Sequence, residues 1–528
     1  MTITRAEVAH CVRHALPSAS GLALLTIMSA SHAAAAPATA PGPVVQPTLF
    51  IAAVATDNAT LATAGNERKD LVGETDAGVL VRSIGPRLSV TGNVGLDFFA
   101  YARHSEPHAV LPRGHLDLSS TLLEHALFFD GEFSAERTSA DPLAAQSGGA
   151  STANTVSTTS VRLSPYFSHE FSDTLSALAR SDTTITRNRS VDSSSASAPN
   201  GSTYQHDVLD IVRKPTPFGI SIDGLREDTH YQDRAASALK ADSLQATLTA
   251  APASDVVLGV IGGREHAVHD NTVDDDTTYG GMLQWHPSRH ISLDVDGQHH
   301  YFGNGWNLHL QDRMPRSVVD LTMTRIASAS VATLGSYNVD SDPTALLGAI
   351  LSSRTPDATS DNQPAQELTQ AVGLPSSFSQ PVSITAERPQ VATRAQLNLV
   401  YDGSRDAVYA SGWYQKAVSL SGAQAVPATL SSMDSRQWGG SLGLYHRMTR
   451  TLSAAAELQW SEIDALGSLA GDRQHQASAT LSMTQRLGPH TTLSGGLRHF
   501  AAHTALASAT TTTLIRENQA FVGLRMQY

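Results

Sequence analysis

The chain has 528 residues, with 36 basic and 49 acidic side chains and a formal net charge of −13. Charged residues make up 16%, below the usual ~25%, and no basic patch marks a nucleic-acid surface. The single cysteine, Cys11, excludes a disulfide scaffold and any cysteine-based metal cluster, and no long apolar run supports a helical membrane span.

Residues 1–36 read as a secretory signal peptide. Arg5 and Arg13 precede the apolar run Gly21-Leu22-Ala23-Leu24-Leu25-Thr26-Ile27-Met28, and small residues follow from Ser31 to Ala36. The apolar run is too short to anchor a helix across a bilayer. Cys11 lies before it, so it is not placed as a lipoprotein cysteine. The mature chain is then expected to be residues 37–528, in the outer membrane of a Gram-negative bacterium.

From there the chain alternates. Leu88, Val90, Val94, Leu96 and Phe98 point one way, with Ser89, Thr91, Asn93 and Asp97 the other. Ile291, Leu293 and Val295 oppose Ser292, Asp294, Asp296, Gln298 and His300. Leu452, Ala454, Ala456, Leu458 and Trp460 oppose Ser453, Glu457, Gln459 and Ser461. Period two predicts half-buried strands, and runs of about ten residues suit a tilted strand that crosses a bilayer.

The connections alternate as well. Tight turns are predicted at Gly85-Pro86, Asp130-Gly131, Ser172-Asp173, Pro215 to Pro217, Pro252 to Asp255, His286-Pro287-Ser288, Met314-Pro315, Asp402-Gly403-Ser404, Met448-Thr449 and Gly488-Pro489. Long polar loops are predicted at Thr56–Glu74, Thr138–Val156, Asn188–Ser202, His269–Thr277, Ser421–Ser435 and Ala501–Glu517. Short turns at one rim and long loops at the other predict an all-β fold, a single transmembrane antiparallel β-barrel of about 22 strands, with 18–22 open. The final strand repeats the pattern: Val522, Leu524, Met526 and the terminal Tyr528 form an apolar row of the kind read by barrel assembly machinery.

These strands resemble the outer-membrane barrel proteins associated with the PEP-CTERM/exosortase system. The resemblance runs diffusely over residues 47–528 and is carried by Thr48–Leu61 (TLFIAAVATDNATL), Ser160–Leu178 (SVRLSPYFSHEFSDTLSAL), Asn398–Ser419 (NLVYDGSRDAVYASGWYQKAVS) and Glu517–Tyr528 (ENQAFVGLRMQY). It implies a link to exopolysaccharide production and to exosortase-sorted surface proteins. It implies no catalytic or binding residues.

The segment Ile326–Pro389 falls at a long-loop position. Asp342-Pro343 followed by Leu346, Leu347, Ile350 and Leu351 reads as a short helix, a candidate plug within the barrel or a surface loop. The inward charges Asp97, Arg162, Asp294, Asp296, Glu457, Arg498 and Arg525 are candidates for tuning a lumen. His266, His269, His299, His300 and Asp274-Asp275-Asp276 are weighed as ligand sets and read as polar filler and a solvated acidic loop. Gly439-Gly440-Ser441-Leu442-Gly443 matches the letters of a nucleophile turn but runs into strand-like sequence, so no enzyme, cofactor or metal is expected.

The functional expectation is a passive pore or export-linked channel; the alternative is a non-conducting docking barrel whose outer loops bind polysaccharide or surface proteins. Expected partners are outer-membrane lipid and lipopolysaccharide, barrel assembly machinery, and exopolysaccharide or periplasmic export components, with no nucleic acid.

Overall fold

The computed structural model describes residues 44–146, 151–190, 201–232, 239–269, 272–328, 389–420, 434–507 and 512–528. The signal-peptide segment 1–36 and the predicted plug residues Leu346, Leu347, Ile350 and Leu351 lie outside these.

Among the described residues there are twenty-two strands. They run β1 (Val44–Thr56), β2 (Asp70–Ile84), β3 (Leu88–Tyr101), β4 (Ala109–Leu123), β5 (Leu127–Ser139) and β6 (Thr155–Glu170). Next come β7 (Leu175–Ser190), β8 (Gly201–Arg213), β9 (Phe218–Tyr231), β10 (Leu239–Ala253), β11 (Val256–His269) and β12 (Thr272–Trp285). Then follow β13 (Ile291–His300), β14 (Gly303–Arg313), β15 (Ser317–Ser328), β16 (Gln390–Asp402) and β17 (Asp406–Ser419). The chain finishes with β18 (Ser435–Arg447), β19 (Leu452–Ala465), β20 (Arg473–Arg486), β21 (Thr491–Ala505) and β22 (Thr513–Gln527). Each pairs antiparallel with its sequence neighbours, and β1 pairs with β22 from Thr48↔Gln527 to Thr56↔Gln519, which closes the sheet. Closure leaves no open edge, as a wall in lipid requires.

β16 shows why these residues make such a wall. Val391, Ala395, Leu397, Leu399 and Tyr401 face outward, while Gln390, Arg394, Gln396 and Asn398 face the lumen and are buried. The inward row bonds along itself: Arg394 Nη2 donates to Gln396 Oε1 at 3.2 Å, and Gln396 Nε2 to Asn398 Oδ1 at 3.2 Å. The exposed apolar residues Ile51, Leu96, Leu244, Val260, Leu442, Leu458, Leu481 and Val522 all belong to the outward set, the face a bilayer would cover. Where β3 meets β4, Gly92 and Gly114 adopt φ of +145° and +146°; a side chain on either would run into the backbone of the opposite strand.

Most predicted connections that fall on described residues stand, with two corrections; most of Asn188–Ser202, Ile326–Pro389 and Ser421–Ser435 lies outside those residues. Asp130-Gly131 lies inside β5, and the turn is at 124–126, because Leu127, Phe128 and Phe129 extend the strand past its Gly. His269–Thr277 is not a long loop: β12 begins at Thr272, so only 270–271 join it to β11. Asp274, Asp275 and Asp276 are therefore strand residues paired with Ala267, His266 and Glu265, held by His269 Nε2 to Asp274 at 2.8 Å and His266 Nδ1 to Asp275 at 2.7 Å. Local cross-strand partners outweigh the poor strand preference of aspartate.

Candidate functional site: the lumen and its outer mouth

All seven predicted lumen charges face inward, but not as one cluster. Asp97 on β3 pairs with Arg113 Nε of β4 at 3.3 Å, and the same guanidinium pairs with Asp76 of β2. Arg162 on β6 meets Glu132 of β5 at 2.5 Å. Asp294 and Asp296 lie on β13, the first 4.0 Å from His286 and the second accepting from Asn307 at 3.3 Å. Glu457, Thr480, Arg498 and Gln519 form one cross-strand row over β19–β22. Arg525 lies over the Phe50 ring, 5.5 Å from its centroid.

The sequence reading missed the chain of charges that runs from β5 to β9 and the separate Glu265–His300 pair between β11 and β13. Asp130 and Arg180 stand 3.4 Å apart, Arg180 and Asp182 2.9 Å, and Asp182 and His206 3.7 Å. His206 then faces Glu227 at 3.9 Å, Tyr204 Oη donates to Glu227 at 2.7 Å, and Glu265 holds His300 at 2.6 Å. β7 gives little warning of this, because Ser181 and Thr183 make its outer face polar too and the two faces lose their contrast.

The lumen differs from side to side. The inward residues of β16–β18 are buried almost throughout, including Gln396, Tyr409, Trp413, Gln437, Ser441 and Tyr445. From β19 round to β4 the inward face is more accessible, with Gln459, Arg525, Asn93, His115 and Asp117 exposed. Asp296 is only 3% exposed and lies with Asp223, Glu227, Glu265 and Asp320 in a buried acidic arc. In the order of strands around the ring, that arc on β9–β15 lies on the side away from β21 and β22, which carry Arg498 and Arg525.

Segment 141–146, the described part of the β5–β6 connection that follows β5, reaches the accessible side at the outer mouth. Leu143 packs on Ile463, Ala465 and Leu469, and Ala145 on Leu61, Phe500, Ala502 and Ile515. Gln474 Nε2 donates to Ala144 O at 2.5 Å, and Thr504 Oγ1 to Leu143 O at 3.2 Å. A loop that leaves between β5 and β6 is thus seated on β19–β21. Its base is held by Asn154, whose Nδ2 donates to Ser139 Oγ at 2.9 Å and whose Oδ1 accepts from Asp141 N at 2.6 Å. Burial pushes the Asp141 carboxyl up, against the backbone amides of Leu143 and Ala144.

The rim beside it is pinned in series. Asp70 accepts from the amides of Arg103 (2.8 Å) and Ser105 (3.1 Å) and from Ser105 Oγ (2.6 Å). Glu106, on the loop so held, accepts from Thr152 N at 3.0 Å and Oγ1 at 2.7 Å. Asp70→Ala is expected to leave the barrel folded and to release loop 102–108, each lost bond being worth about 1 kcal/mol. Protease nicking within 102–108 in intact membranes checks this; an unchanged rate would mean the carboxylate is not the tether.

The other candidate sets do not assemble chemistry. Ser441 sits mid-strand in β18 and hydrogen-bonds Ser411 Oγ at 2.7 Å, not a histidine. His266 and His269 point to opposite faces, as do His299 and His300. No group of metal-ligating side chains converges among the described residues. Val522, Leu524, Met526 and Tyr528 do form one outward row, with Tyr528 Oη donating to Met526 Sδ at 3.4 Å.

No protein-family model matches the chain, and no curated protein does. Among solved structures it is similar to the siderophore receptor PirA from Pseudomonas aeruginosa, at 9% identity and a TM-score of 0.41, over 92% of this chain and 80% of that one. It is similar also to the siderophore receptor PiuA from Acinetobacter baumannii, at 8% and 0.47, over 92% and 82%. A third is OccK1 (OpdK) from Pseudomonas aeruginosa, at 9% and 0.35, over 92% and 99%. These are faint likenesses, and the barrel is established by its own strand register.

Proposed function

We propose that the chain is an outer-membrane barrel that passes small polar solutes along a corridor lined by β19–β22 and β1–β4, closed at the outer mouth by the seated segment 141–146. The observation that carries this reading is the coincidence of the two features: the accessible, polar arc of the lumen is the arc the seated segment reaches. Its selectivity rests on side chains that line the corridor, since lumen residues set solute preference. Arg525, Arg498 and Glu457 therefore matter more than Asp294 and Asp296, which lie on the buried side.

The test is single-channel conductance of the folded chain in planar bilayers, after heat-modifiable gel mobility has established insertion. Arg525→Glu is expected to shift the reversal potential severalfold toward cations, while Asp296→Asn leaves it near the parent value. The opposite ranking would move the conducting path to the acidic arc.

The buried inward rows of β16–β18 favour a second reading, a non-conducting barrel that presents its outer loops to polysaccharide or surface proteins. A folded, inserted chain that stays silent in the bilayer supports it. The resemblance to exosortase-associated barrels supports an export-linked setting under either reading, with secretion led by residues 1–36. Loss of polysaccharide at the cell surface on deleting the gene is the corresponding test.

A further inference from the structure

At the short-turn end of the corridor, four inward residues stand side by side on neighbouring strands. Arg486 of β20 is in register with Thr492 of β21, Thr492 with Arg525 of β22, and Arg525 with Phe50 of β1. Arg486 is the last residue of β20 and Arg525 is close to the end of β22, so both lie beside the short turns whatever the tilt of the strands. Strands lie ~4.8 Å apart, which puts the two arginine Cα atoms about 10 Å apart with Thr492 between them. The inner face of a closed sheet is concave, so two side chains of that length come within reach of one anion above the hydroxyl.

Both arginines are exposed, and neither makes an ion pair among the described residues. Arg113, Arg162 and Arg180, elsewhere in the lumen, each hold a carboxylate. The chain has 49 acidic against 36 basic side chains, yet no carboxylate serves this pair. The inward acids of these strands are remote or engaged. Glu457 is in register with Thr480, which is ~20 Å up β20 from Arg486, and Glu517 is ~26 Å up β22 from Arg525, at ~3.3 Å per residue. Glu74 and Asp76 lie on β2, beyond Phe50, and Asp76 is taken by Arg113. Arg82 on β2 and Arg450 on the β18–β19 turn add positive charge at the same end.

Arg525 is preset for a ligand. Its guanidinium lies over the Phe50 ring, 5.5 Å from the centroid. The ring leans across Gly523, where a Cβ would come within 2.6 Å of a ring carbon, so only glycine leaves it room. Stacking fixes the plane of the guanidinium and leaves its N–H fork, which lies in that plane, free to bind.

We infer that Arg486, Thr492 and Arg525 form a phosphoryl-binding step at the periplasmic end of the corridor, for inorganic phosphate or a solute that carries a phosphate monoester. Two forks supply four N–H groups and Thr492 a hydroxyl. A carboxylate has two oxygens and about four lone-pair sites, too few for all of these donors, whereas the three oxygens of a phosphoryl group accept every one. The row faces the lumen, so its ligand is a free solute and not a lipid headgroup. The inference rests on the corridor reading and narrows its solutes to phosphorylated ones.

The test reads binding apart from conduction. The full chain in detergent, shown to be folded by heat-modifiable mobility, is titrated calorimetrically with glycerol phosphate, inorganic phosphate and acetate. Glycerol phosphate is expected to bind at least tenfold tighter than acetate. Arg486→Gln and Arg525→Gln are each expected to weaken it at least tenfold, and Arg525→Lys, which keeps the charge and loses the fork, severalfold. Arg405→Gln, at the same rim on the β16–β17 turn, is expected to leave it within twofold. Equal affinity for acetate, equal loss in Arg405→Gln, or no binding by a folded chain overturns the proposal. In planar bilayers, glycerol phosphate added at the short-turn side is expected to reduce the current of the parent and not of the double Gln variant. A conducting barrel that does not bind phosphate overturns the site and leaves the corridor standing. A silent barrel that binds phosphate through both arginines keeps the site and removes the corridor.

Discussion

Unseating segment 141–146 should raise the conductance of the barrel severalfold. The expected result follows from where the loop's two apolar contacts fall. Leu143 and Ala145 are 3% and 5% exposed and reach β19–β21 from the far side of the β1–β22 seam. Leu143→Asp with Ala145→Asp would bury two carboxylates without partners, a cost of several kcal/mol that exceeds the few weak bonds seating the loop. The loop then swings out while the β5–β6 pairing beneath it, from Leu127↔Phe167 to Ser139↔Thr155, keeps the wall intact. Single-channel recording checks the rise, with gel mobility as the control for folding. An unchanged conductance in a folded barrel would mean that segment 141–146 is not in series with the path.

The largest stability effect is expected at Arg113. Its guanidinium pairs with both Asp76 and Asp97, which are 8% and 3% exposed, and removing it leaves two acids crowded on β2 and β3. Breaking a fully buried pair costs about 3–5 kcal/mol. Arg113 itself is 42% exposed, so solvent screening brings the expectation down to about 2 kcal/mol for Arg113→Met. Adding Asp76→Asn should recover about half of that, because one carboxylate then remains and Asn can still bond within the row. The temperature at which the folded band converts to the unfolded band on gels reads the difference. Equal transition temperatures in parent and Arg113→Met would show that water, not the guanidinium, carries those carboxylates.

Much of the barrel was legible in the sequence because a membrane wall has one rule, applied strand after strand. Leu88–Phe98, Ile291–His300 and Leu452–Ser461 each separate an apolar row from a polar one, and a period of two has only two phases to choose between. The same rule placed Asp97, Arg162, Asp294, Asp296, Glu457, Arg498 and Arg525 on the inner face. It failed where the contrast between faces was weak. β7 is polar on both sides, so Arg180 and Asp182 went unread, and the aspartates of β12 looked like a loop.

By itself, then, the sequence determined the class of fold, the near-complete strand order and, in strands whose two faces contrast, the side of the wall on which a polar residue stands. Local alternation and turn chemistry suffice for these, since each strand pairs with its neighbour in the chain. Tertiary structure alone decided what lies across the lumen. Arg113 between Asp76 and Asp97 joins three strands, and Leu143 meets Ile463 only because a closed sheet curls β5 and β19 toward one another. No periodicity encodes such meetings; they depend on the curvature and closure of the whole ring.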